Sequence, residues 1–101
     1  MNEPRGAGKG LEMKRKLQKL IREYKAAMKK ADAIDAAWEN DYENEELEAA
    51  WDAAYKAEHK AMMNLVDALV QFSRGMLTKQ AAFSLVRIKF SEVEALVARM
   101  A

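Results

Sequence analysis

The sequence predicts an all-α fold: an antiparallel three-helix bundle, built from a long helical hairpin and a C-terminal helix and open to completion by dimerisation. Three observations carry this expectation. Apolar residues recur at alternating steps of three and four along most of the chain, the spacing of a helix face. Only four Gly and one Pro occur, and Pro4, Gly6, Gly8 and Gly10 all precede residue 11, so breakers are scarce afterwards. At 101 residues, half of them apolar and a third charged, the chain has material for one modest core and one domain.

Residues 1–10 are expected to form a flexible tail, leaving 11–101 as the helical domain. The stretch Gly6-Ala7-Gly8-Lys9-Gly10 resembles a phosphate-binding loop in composition only. No strand precedes it and the Walker spacing is absent. Helix one is expected from about Leu11 to about Asn40. Its seam is Leu17, Ile21, Tyr24, Met28, Ala31, Asp35, Trp38 and Tyr42, a heptad pattern interrupted by one carboxylate. Asn44, followed by Glu45 and Glu46, reads as the N-cap of helix two, with acids in the first turn to oppose the helix dipole.

Helix two is expected to reach about Ser73, with Gly75 at the C′ position of its cap. Its apolar stripe includes Leu47, Trp51, Tyr55, Met62, Leu65 and Leu69, with Glu58 in the middle. Twelve alanines between Ala26 and Ala61 favour close approach of the first two helices. Asp35 and Glu58 interrupt apolar stripes and so need partners; Tyr55 is the expected partner of Asp35, and Tyr24 of Glu58.

Thr78 caps helix three. Phe83, Val86, Phe90, Val93, Val97 and Met100 form its seam, and Leu85, Ile88 and Leu96 add apolar surface on another side. That arc spans roughly 220°, more than the ~100° stripe one neighbour needs, so helix three should touch two surfaces. Thr78 to Ala82, together with Ser91-Glu92-Val93-Glu94, resembles a helix-turn-helix over part of its length. The turn Gly is missing and Glu92 and Glu94 would face phosphates, so one continuous helix is expected.

Charge is sorted into blocks. Residues 1–30 sum to +7, residues 31–58 to −9 and residues 59–101 to +3, which makes the net charge of +1 a poor guide to a strongly polarised molecule. With no Cys and a single His, the chain has no thiolate metal site and no Glu-x-x-His pair of the di-iron type. Glu48, Asp52 and His59 share a helix face, but a solvated surface explains them better than a metal. No catalytic, cofactor-binding or metal-ligating residue is expected, and no enzymatic activity. No apolar run approaches the ~18–20 residues of a membrane span, and no secretory leader is expected, so the expected compartment is the cytoplasm.

The resulting expectation is a small interaction or regulatory protein that binds a protein partner or a second copy of itself. Its surface would combine Leu85, Ile88 and Leu96 with the acidic pole at Glu43, Glu45 and Glu46. The alternative is a nucleic-acid-binding accessory protein that uses Arg15, Lys16, Lys19 and Arg22 of helix one.

Overall fold

The computed structural model describes the backbone of residues 5–100 and the side chains of residues 11–100. Four helices follow one another: α1 (Arg5–Asn40), α2 (Glu45–Phe72), α3 (Lys79–Ile88) and α4 (Phe90–Ala98). Among the described residues there is no strand. Of the tail expected over residues 1–10, residues 5–10 belong to α1, so the helix starts ahead of Leu11. Residues 1–4 lie outside the described residues.

α1 and α2 form the hairpin, joined by residues 41–44. The Asn44 side chain accepts from the backbone N–H of Glu46 at 2.9 Å and of Leu47 at 3.3 Å, as an N-cap should. Its amide also donates to Asp41 at 3.1 Å, which closes the turn. Glu45, Glu46 and Glu48 then occupy the first turn, where the helix dipole favours negative charge.

The end of α2 differs from expectation in one residue. Gly75 donates to Val70 and Arg74 donates to Gln71, the paired hydrogen bonds of a Schellman motif. Arg74 therefore holds the C′ position at φ 55°, and Gly75 follows at φ 84°. Both residues are left-handed, so a residue with a Cβ and a long cationic side chain sits where glycine is the preferred residue.

The larger correction concerns the third helix. It is two helices, broken at Lys89, whose φ of −122° and ψ of 44° lie outside the helical region. The break is not the capping box suggested by Ser91 to Glu94, because no side chain caps α4. Neither Gly nor Pro stands near it, so tertiary packing is the cause. α3 lies on α2, whereas α4 lies on α1, and the Phe90 ring meets Tyr24 edge-on at 5.3 Å. A wide apolar arc thus reaches two neighbours by bending. At the far end of α4, the Lys14 ammonium donates to the carbonyls of Ala98 (3.2 Å) and Met100 (3.0 Å), capping a helix terminus that carries partial negative charge.

The core lies where all four helices meet. Leu17, Leu65, Val66, Val86 and Val97 are fully buried, joined by Ile21, Tyr24, Met62, Leu69 and Val93. This packed half is the proximal half of the hairpin. In the distal half, toward residues 41–44, α1 and α2 have only each other, and Ala31 and Ala54 are the buried contacts. The molecule is consequently long, with extents of 62 × 29 × 18 Å and a radius of gyration of 16.8 Å. A compact domain of this length would have about 13 Å.

Candidate interaction surface

The sequence-derived candidates fall into three places. Ile88 and Leu96 lie on the outer side of the α3–α4 elbow and are 77% and 53% exposed. Leu85 between them is half-buried, with part of its side chain on the core. Two shallow concavities share Leu85: one of about 410 Å³ with Ala81, Ser84, Ile88 and Lys89, and one of about 470 Å³ with Ser91, Glu92, Val93, Ala95, Leu96 and Arg99. Together they make one apolar surface across the elbow, rimmed by Lys89, Arg99 and Glu92.

Glu43, Glu45 and Glu46 are exposed at the opposite end, on the turn and the start of α2. The fold therefore does not join the acidic pole to the apolar elbow in one patch. Arg15, Lys16, Lys19 and Arg22 are all exposed along the proximal half of α1, and none makes an ion pair among the described residues. At about 100° per residue, Arg15, Lys19 and Arg22 share the face of α1 opposite the core, while Lys16 stands to one side.

Beyond the elbow, toward the turn, the path of α3 and α4 continues as an open trough between α1 and α2. Helical phase places Asp32, Asp35 and Glu39 on its α1 wall and Glu48, Asp52, Tyr55 and Glu58 on its α2 wall. Asp35 crosses it, accepting from the Trp51 indole N–H and from the Tyr55 hydroxyl at 2.8 Å. The expected pairing of Asp35 with Tyr55 is thus present, with Trp51 as a second donor. Trp38 lies against Trp51 with ring centroids 6.3 Å apart, and its own N–H is buried without a partner. Sequence reasoning missed the trough because it depends on where α3 ends.

Glu58 has no bond from Tyr24. It borders a cleft of about 280 Å³ with Tyr24, Tyr55, His59, Met62 and Arg87. Burial pushes the Glu58 carboxyl above its ordinary range, and the charges of Asp32 and Asp35 push it the same way, against the pull of Arg87. The Tyr24 phenol is raised by burial first and by Glu58 second. The Tyr55 phenol is raised chiefly by its hydrogen bond to Asp35. These groups form a negatively charged, tyrosine-lined wall. Asp52 is held by Lys56 at 2.9 Å, and among the described residues no three His, Cys, Asp or Glu are grouped to hold a metal ion. No described helix is long and apolar enough to cross a membrane.

No protein-family model matches the chain, and no curated protein or solved structure matches it either.

Proposed function

We propose that this chain is a non-enzymatic interaction protein whose recognition surface is the outer side of the α3–α4 elbow. The observation that carries the reading is the exposure of Ile88 and Leu96 on helices whose inner faces are packed into the core. A helix pair fixed by Val86, Val93 and Val97 holds its outer apolar side chains in a set geometry. That lowers the ordering cost of binding. Apolar centres with charged rims are the usual anatomy of protein interfaces.

The test is the double substitution Ile88→Glu, Leu96→Glu. Because neither residue is needed by the core, thermal stability should change little, whereas binding through this face should be lost. A drop in Tm comparable to that of a core truncation, measured at a dilution where the wild type is monomeric, would overturn the reading, since the two side chains would then belong to the fold.

A second reading rests on a different observation. Arg15, Lys16, Lys19 and Arg22 are exposed and unpaired among the described residues, which leaves them free to meet phosphates. If they do so, replacing all four by Gln weakens nucleic-acid binding and flattens its dependence on salt. Absence of binding to duplex or single strands at low salt removes this reading.

A further inference from the structure

We infer that the elbow's partner is a second copy of this chain, inverted, so that the elbow of each copy fills the open trough of the other. The inference rests on the docking reading above and adds an occupant to it. The elbow is an apolar surface of Leu85, Ile88 and Leu96 with two shallow hollows, and the trough is a strip with Trp51 half-buried and Tyr55 40% exposed. Within one chain the two surfaces are neighbours that do not touch. The chain turns at Lys89 on the edge of the trough, and α4 then runs away from it toward Lys14.

Inversion of a second copy about a twofold axis near this edge solves both exposures together. The elbow of the first copy covers the distal half of the second, and the reverse contact follows by symmetry. This is a closed, isologous arrangement that stops at two chains. Each distal half, which has only two helices of its own, then gains α3 and α4 of its neighbour as a third layer.

Charge favours this pairing over the alternatives. The rim of the elbow carries Lys89 and Arg99 against Glu92. The trough lies within residues 31–58, which sum to −9. A parallel pair would set acid against acid and base against base. The inverted pair sets each acidic half against a basic rim, and that also speeds encounter.

Sedimentation of the full chain at low and high salt, combined with a charge exchange, tests the inference. The wild type should be a dimer at low salt, with Kd rising about tenfold or more on going to about 0.5 M salt. Lys89→Glu with Arg99→Glu should give a monomer, and so should Asp32→Lys with Glu39→Lys. Mixing these two monomers should restore a dimer, because each altered rim then meets an altered trough and each native rim a native trough.

A wild-type dimer whose charge-exchanged variants fail to reassociate on mixing would overturn the elbow-in-trough pairing. A wild type that stays monomeric at low salt up to about 0.5 mM, well above a micromolar Kd, would overturn the second copy as partner. In that case the Tm of Ile88→Glu, Leu96→Glu separates the two readings. An unchanged Tm leaves the elbow as a docking face for a different protein, and a lowered Tm removes the docking face as well.

Discussion

The two halves of the α1–α2 hairpin are built on different principles. In the proximal half, α3 and α4 close a core of Leu17, Leu65, Val66, Val86 and Val97, with no polar residue buried among the described side chains. The distal half has no such lid. It relies on alanine contacts at Ala31 and Ala54, on the stacked Trp38 and Trp51, and on the Asp35 carboxylate linking Trp51 to Tyr55. The proximal half is held mainly by apolar area removed from water, the distal half by a few directional bonds and by close helix approach. Without a third layer, the distal half leaves aromatic side chains such as Tyr42 and Tyr55 exposed, whereas Tyr24 in the proximal half is buried.

Truncating one core residue should produce the largest loss of stability. Leu65→Ala should cost about 3 kcal/mol, the range for a fully buried leucine, measured by urea unfolding. If the cost were below about 1 kcal/mol, the proximal core would be no better packed than the distal half. Asp35→Ala is the distal counterpart and should cost about 1 kcal/mol, since it strands two donors that water can partly reach. Amide hydrogen exchange should show the loss confined to residues near the turn, where local opening is already easier.

Two smaller effects sharpen the picture. Arg74→Gly should stabilise the chain by about 0.5–1 kcal/mol, because glycine meets no penalty at a left-handed C′ position. A loss of stability instead would mean that the Arg74 side chain makes contacts that outweigh backbone strain.

Glu58→Gln should have the smallest effect, a gain below about 0.5 kcal/mol at neutral pH for a partly exposed group. Its sign follows from linkage. The folded protein holds the Glu58 proton more tightly than the unfolded chain, so this group's contribution is most favourable below the ordinary carboxyl pKa of 4.5. That contribution is lost as pH rises through the higher folded value. Chemical denaturation at about pH 4 and 7 should therefore show a flatter profile for Glu58→Gln than for the wild type. An unaltered slope would show that Asp32, Asp35 and burial do not act on this carboxyl.

Much of the hairpin was legible in the sequence because its signals are local. Asn44 with Glu45 and Glu46 announces the start of α2, Thr78 announces α3, and the heptad run from Leu17 through Tyr24 to Ala31 announces the inner face of α1. The elbow at Lys89 was not legible, since Val86 to Phe90 contains no residue that ends a helix. The candidate surface was legible in part. Ile88 and Leu96 stand off the seam in the sequence and are exposed, whereas Glu43, Glu45 and Glu46, expected beside them, lie at the other end. Asp32 gave no signal at all, because its place on the trough wall depends on where α3 and α4 stop.

Helicity, the position of the hairpin turn and the segregation of charge all follow from the order of residues along the chain. Capping, periodicity and charge order act between residues a few positions apart. Long-range packing divides the last apolar segment at Lys89 and sets it over one half of the hairpin, leaving an apolar elbow beside an open trough. That choice balances helix hydrogen bonds forfeited by the residues next to Lys89 against Phe90, Val93 and Val97 packed on the rest of the fold, and it joins residues more than sixty positions apart, such as Tyr24 and Phe90.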